Sequence, residues 1–386
     1  MLRLLTYNRA GNRLYNTFLR LPKIVQLSSL RLLYIINNFR IRRLEEPLSL
    51  TFFVTYKCNT RCQHCFYWQE LGKNRELQLF EIEKIVRSFR NRLTTITLTG
   101  GEPFLRDDLV EICSLFYKIR GVKKINIPTN GLMPDVIYAK SKEILQKTNV
   151  FLSIVVSLDD LNEKHDNMRG AKGAFNKAVQ TVKLLKKLEN AIPNFKVSVQ
   201  TVISNLNIES LKSLSYFVSK ELDVHHGFQI IRESKKGVFG LDKNIINTFG
   251  PPDKDYQMPP IEKLKYVNTI INEYEKESDQ LLNRIQELKR EYTLDILTGK
   301  KAVMHCLAGK IDGILYPNGD VALCEVVIPF GNLRDYDLDF NKLCNSVEAN
   351  KMRKKIKFCY CIHPCNLLSS MRFDYNSLLR IIGLRH

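Results

Sequence analysis

The chain has 386 residues, 44% of them hydrophobic and 26% charged, the balance of a soluble globular protein with room for two or three domains. Ten cysteines are too sparse for a disulfide scaffold. No apolar run reaches the roughly 18 residues that span a bilayer, and the N-terminal apolar runs are broken by Arg3, Arg9, Arg13 and Arg20 without a cleavage pattern. A reducing, cytoplasmic location follows, in which clustered cysteines read as metal ligands. The formal net charge of +19 is uneven: residues 1–43 hold nine Arg or Lys and no Asp or Glu. Such an arm suits an anionic partner (a membrane surface, nucleic acid or a phosphorylated substrate) and equally a solvated extension.

In chain order, residues 1–46 form this basic amphipathic arm, with short helices expected around 14–19 and 27–39; Pro22 interrupts them and Pro47 closes the segment. Strand-like runs then recur at 49–56, 94–98, 124–128, 151–157, 196–203 and 227–231, and helix-like stretches separate them. Six such alternations predict a parallel sheet with right-handed crossovers. A helical connector is expected over 236–300, with a break at Gly250-Pro251-Pro252 and a charged helix at 261–292 running along the surface. A second cysteine-bearing region spans 301–370. Residues 371–386 are a basic, partly apolar tail, whose docking partner the pattern does not identify.

Directly after the first strand, Cys58, Cys62 and Cys65 stand at C-x3-C-x2-C spacing. Three thiols in eight residues can converge on one metal centre. A structural zinc site wants a fourth ligand, which His64 or a distant residue could supply. A [4Fe–4S] cluster held by three cysteines instead leaves one iron open. Two further strand ends carry distinctive runs. The second continues into Gly100-Gly101-Glu102-Pro103, and the fourth ends in Val156-Ser157-Leu158-Asp159, followed by His165-Asp166-Asn167-Met168-Arg169-Gly170.

With these motifs, residues 47 to 233 resemble the radical S-adenosylmethionine superfamily. The resemblance implies a partial (β/α)6 TIM-like barrel over 47–235, with functional groups at the C-terminal strand ends. Cys58, Cys62 and Cys65 would hold a [4Fe–4S] cluster whose open iron takes S-adenosylmethionine. Gly100 and Gly101 would let that ligand approach the backbone, and Glu102 would accept from its ammonium. Ser157 and Arg169 would meet its ribose or carboxylate, and His64 would pack near its adenine. Arg169 also reads as a surface ion pair, and Asn130, before Gly131, as a turn former. Thr201 and Arg232 fall at strand ends; Arg232 could pair with Glu233. His225 and His226 are expected just before strand six, away from the chemistry.

Downstream, Cys306, Cys324, Cys361 and Cys365 resemble the ligand set of the SPASM and twitch auxiliary-cluster domains, without the full C-x2-C-x5-C run. One further [4Fe–4S] cluster is the expectation, with structural zinc as its rival. Cys359 competes with Cys361 for one place, on the expectation that the two thiols face opposite ways. Cys113 and Cys344 read as packed thiols. The expected function is reductive cleavage of S-adenosylmethionine to a 5′-deoxyadenosyl radical that takes hydrogen from a peptide, lipid or small-molecule substrate, with net oxidation through the auxiliary cluster. An electron donor such as ferredoxin or flavodoxin is implied, together with peripheral association with the anionic inner face of the membrane; nucleic acid is not an expected partner. The competing reading is a non-catalytic zinc- or iron–sulfur-binding protein that uses its arm on nucleic acid or membrane.

Overall fold

The computed structural model describes residues 17–233, 236–275, 280–299 and 301–384; the side chains of Glu275, Gln280 and Cys365 lie outside that description. So do residues 14–16 of the first expected helix.

Six parallel strands lie side by side in chain order: β1 (Ser49–Thr55), β2 (Thr95–Gly100), β3 (Lys124–Thr129), β4 (Phe151–Ser157), β5 (Phe195–Ile203) and β6 (His225–Ile230). Helices Leu79–Ser88, Leu109–Arg120, Pro134–Lys147, Ala174–Ala191 and Leu211–Tyr216 carry the chain back between them, as parallel pairing requires. The expected β/α order is the observed one. Strand six begins two residues early, so His225 and His226 stand inside it.

Strands β2 to β6 alternate, whereas β1 is buried on both faces from Phe52 to Thr55. In β4, Leu152, Ile154 and Val156 are buried in the main core, whereas Ser153 and Ser157 on the other face are only half-buried. Ile96 and Leu98 alternate with Thr97 and Thr99 in β2 in the same way. One face of the sheet therefore carries the helices, and the other carries a mixture that includes the polar Thr97, Thr99, Ser153 and Ser157.

Beyond the barrel come β7 (Val238–Phe239), β8 (Asp312–Leu315), β9 (Asp320–Ala322), β10 (Gly331–Asn332) and β11 (Tyr360–Cys361). β8 joins β1 in parallel, with Ser49 opposite Asp312, and β9 and β10 continue antiparallel. The sheet order is β10-β9-β8-β1-β2-β3-β4-β5-β6. The cysteine-bearing region thus extends the barrel sheet and covers the edge of β1, which as a free edge would invite pairing with another chain. β11 pairs separately with β7.

Helices Ile261–Glu275 and Gln280–Gly299 occupy the expected connector. The second is more than a surface element. Leu281, Ile285, Leu288, Tyr292 and Ile296 recur three or four residues apart and are buried in one cluster with Leu378, Leu379 and Ile381 of helix Tyr375–Ile381. The basic tail therefore docks on the protein itself. At the other end of the chain, Pro22 precedes one continuous helix, α1 (Lys23–Arg42), which buries Leu30 and Ile41 and sets Tyr34 5.5 Å from Tyr375. Among the described residues, no helix is long and apolar enough to cross a membrane.

Candidate active site

Past β1 the chain runs without regular structure through residues 57–65. This loop is held by backbone rather than by its thiols. Arg61 N and Gln63 N donate to the carbonyls of Arg169 and Met168 at 3.3 and 2.9 Å, and the Arg61 guanidinium donates to the Cys58 and Thr60 carbonyls at 3.0 and 2.9 Å. The Thr60 hydroxyl sits 3.2 Å from Cys58 Sγ and 3.4 Å from Cys62 Sγ, between the two thiols. The turn after β2 presses against the same loop. A Cβ on Gly101 would lie 2.0 Å from the Lys57 carbonyl oxygen, and one on Gly100, where φ is +134°, would lie 2.4 Å from that of Thr55. Backbone meeting backbone thus demands both glycines, before any ligand is considered.

Cys58, Cys62, Cys65, Gly100, Gly101, Glu102, Asn130, Ser157 and Arg169 line one cavity of about 120 Å³ at the carboxyl ends of β1 to β4. Residues up to 111 positions apart in sequence meet there because parallel strands present their ends on one rim. His64 is not in its wall. Its Nε2 lies 3.2 Å from Asp159 Oδ2, and its ring centroid is 6.0 Å from that of Tyr256. Thr201 is also elsewhere, with its hydroxyl donating to the Leu158 carbonyl at 2.6 Å and lying 2.7 Å from His226 Nε2.

Asp159 is the organiser that sequence reasoning passed over. Its Oδ2 is 2.6 Å from Arg169 Nη2, and its Oδ1 accepts from Val202 N at 2.9 Å. Burial alone would raise this carboxyl, but Arg169 and then His64 hold it well below the ordinary carboxylate range. Arg169 is therefore a buried ion-pair partner, not a surface one, and its Nη1 lies 3.7 Å from Cys62 Sγ. The rest of the motif is scaffolding. His165 Nδ1 accepts from Asp159 N at 3.0 Å, and the Asp166 carboxylate accepts from Gly173 N and Phe175 N. The available signal was spacing: Asp159, His165 and Arg169 straddle one short helix, Asn162–Arg169.

Glu102 is fully enclosed. It accepts from Thr129 Oγ1 at 2.9 Å, Asn130 N at 2.7 Å and Phe104 N at 3.2 Å, tying the glycine turn to the end of β3. Asn130 completes the tie by donating to Asn59 Oδ1 at 2.6 Å. Burial pushes Glu102 up to about 7 despite these donors. A raised acid stabilises the fold fully below the unfolded value of 4.5, and that contribution is lost as pH rises through about 7. The loss amounts to about 3 kcal/mol. In cluster-free protein, urea unfolding followed across this range is expected to show the decline, and Glu102→Gln is expected to flatten it.

The second cysteine set also gathers. Burial and then Cys361 push the Cys306 thiol up to about 12. Cys324 is raised by burial, Cys361 and Cys306 together. Cys359 is hydrogen-bonded to Cys361, the main reason that the latter's pKa is raised. The expectation of opposite faces is corrected here, because residues two apart on an extended strand share a face. Cys365 begins helix Pro364–Met371 as its second residue, with its side chain outside the described set. Cys113 and Cys344 are packed in the main core. Arg232 is bonded to Glu325, next to Cys324, rather than to Glu233, and its guanidinium lies 4.7 Å over the Phe66 ring, next to Cys65. It bridges the two cysteine regions.

The donor chemistry decides what the first triad fits. Cys58, Cys62 and Cys65 offer three soft sulfur donors around one cavity, with a buried guanidinium beside one sulfur to offset thiolate charge. That donor set suits a [4Fe–4S] cluster, which these three cysteines would hold.

An open parallel barrel with such a thiol-rimmed mouth defines a protein that holds a metal cluster beside a small ligand. Residues 52–215 match the Radical SAM superfamily, and the chain carries a radical SAM domain there. Proteins of this superfamily carry a [4Fe–4S] cluster and bind S-adenosylmethionine. The chain is 25% identical over 312 residues to the antilisterial bacteriocin subtilosin biosynthesis protein AlbA of Bacillus subtilis, covering 79% of this chain and 60% of that protein. It is 31% identical over 183 residues to GTP 3′,8-cyclase of Aquifex aeolicus, covering 45% of this chain and 54% of the relative. It thus spans between half and two thirds of these curated relatives. Among solved structures, Streptococcus suis SuiB bound to precursor peptide SuiA superposes with a TM-score of 0.57 at 16% identity, over 87% of this chain and 73% of that one. The enzyme anSMEcpe with bound AdoMet gives 0.58 at 16%, over 88% and 100%. At such identities these two share the fold.

Proposed function

We propose that this protein is a radical S-adenosylmethionine enzyme that modifies a peptide. The observation that carries the reading is the single cavity ringed by Cys58, Cys62, Cys65, Ser157 and Arg169. When bound, the cluster and S-adenosylmethionine supply a one-electron cleavage and a 5′-deoxyadenosyl radical able to take hydrogen from an unactivated carbon. The chain's own residues do the rest. Cys58, Cys62 and Cys65 hold the cluster as thiolates. Arg169, kept charged by Asp159, balances their charge and leaves Ser157 and the glycine turn to orient the ligand.

A larger cavity of about 260 Å³ lies behind the loop that follows Cys65, between Phe66, Tyr67, Phe249 and Tyr316. We assign it to the substrate, because its walls combine these rings with Glu70, Lys73, Asp320 and Glu325 and include Phe66 and Glu325, the sequence neighbours of Cys65 and Cys324. A peptide substrate is supported by the names of two similar proteins, one of subtilosin biosynthesis and one bound to a precursor peptide. Cys306, Cys324 and Cys361, with Cys365 or Cys359, would hold an auxiliary cluster of the SPASM or twitch kind, which would supply an electron acceptor for a net oxidation. A ferredoxin- or flavodoxin-like protein supplies the reducing electron, and the protein works in the cytoplasm at the inner face of the membrane.

The test is anaerobic reconstitution followed by iron and sulfide counts and a dithionite-driven assay for 5′-deoxyadenosine. Iron for two four-iron clusters and accumulation of the nucleoside are expected. Zinc-loaded protein without charge-transfer absorption and without the nucleoside would sink the reading.

A further inference from the structure

Helix α1 has two unlike sides. One is packed: Leu30 is fully buried, Ile41 joins Ile311 and Phe373, and the Gln26 amide donates to the carbonyls of Leu19 and Leu21 at 3.1 and 2.7 Å. The other side is apolar and exposed. Ile24, Leu32, Ile35 and Phe39 are 73%, 59%, 56% and 57% exposed. With Ser28 they are spaced four, four, three and four residues apart, which places them along one face of the helix. Single exposed hydrophobic residues are ordinary, whereas four in a row on one helix mark a contact surface.

Arg31, Arg42 and Arg43 border this face, the Arg43 guanidinium lying 4.0 Å over the Phe39 ring, and no acidic residue occurs before Glu45. The occupant must accept both apolar side chains and arginines. Nucleic acid would take the arginines and leave the apolar row in water. A second copy of this chain would set the same arginines and a net charge of +19 against themselves. A lipid surface with anionic headgroups meets both demands: acyl chains for the row, headgroups for its borders.

We propose that α1 lies flat on an anionic lipid surface through Ile24, Leu32, Ile35 and Phe39, with its arginines at the headgroups. This names the contact surface behind the membrane association above. It rests on that localisation alone, not on the cysteine chemistry. The test is co-sedimentation of the full chain with phosphatidylcholine vesicles, with and without phosphatidylglycerol, at low and high salt. Binding to the anionic vesicles only, weakened by salt, is expected. Ile35→Asp with Phe39→Asp should lower it by about tenfold or more. Arg31→Gln with Arg42→Gln and Arg43→Gln should lower it and reduce its salt dependence, and both variants should keep the wild-type iron content. No preference for anionic vesicles, variants that bind like wild type, or a dimer in light scattering that the Asp variants dissolve would each overturn the proposal. Failed vesicle binding in a protein that still forms 5′-deoxyadenosine would remove this inference and leave the enzymatic reading standing.

Discussion

The variant with Cys58, Cys62 and Cys65 all replaced by Ala is expected to form no detectable 5′-deoxyadenosine and to take up about half the wild-type iron on reconstitution. The loop should survive the change, because its anchors are backbone bonds to Met168 and Arg169 and the Arg61 guanidinium, not the thiols. Far-ultraviolet circular dichroism matching the wild type would confirm that only the site was lost. The remaining iron should belong to the second cysteine set, since Cys306, Cys324, Cys359 and Cys361 lie close enough to act on one another. Nucleoside formation by the triple variant would contradict the assignment of these thiols. Loss of all the iron would contradict two independent sites.

Asp159→Asn is expected to destabilise the protein by about 3–5 kcal/mol, read from urea unfolding of cluster-free protein. The substitution keeps the shape but leaves the Arg169 guanidinium, 2.6 Å away and buried, without its counter-charge. It also removes the carboxylate that His64 faces. A carboxyl held below its ordinary value gives stability that is present at neutral pH and lost on acidification through its folded-state value, so the variant should lose that acid sensitivity. Combining Asp159→Asn with Arg169→Met should recover part of the loss, because an unpaired buried charge costs more than an apolar replacement. A single variant as stable as the wild type would show that the pair does not brace the site.

The second cysteine set shows where residue spacing stops short. Sequence order placed Cys359 and Cys361 as rivals, yet extended backbone puts both thiols on one face and in contact. Arg232 could pair with its neighbour Glu233, whereas folding brings it to Glu325, in the turn after β9. Glu102 lines the cavity as expected, but its bonds from Thr129 and Asn130 come from the end of β3. For Arg232 and Glu102 the partners Glu325, Thr129 and Asn130 lie in other segments, and no local pattern encodes them.

What the sequence determined by itself was local and periodic. The β/α alternation is written in hydrophobic period, and the cysteine triad and glycine turn follow directly from two strand ends, because turn geometry and ligand spacing are properties of neighbouring residues. Only the tertiary structure decided that Asp159 clamps Arg169 beside Cys62, that the cysteine-bearing region continues the barrel sheet along β1, and that the basic tail docks on Gln280–Gly299. These depend on which distant surfaces bury each other, and burial is a property of the whole chain.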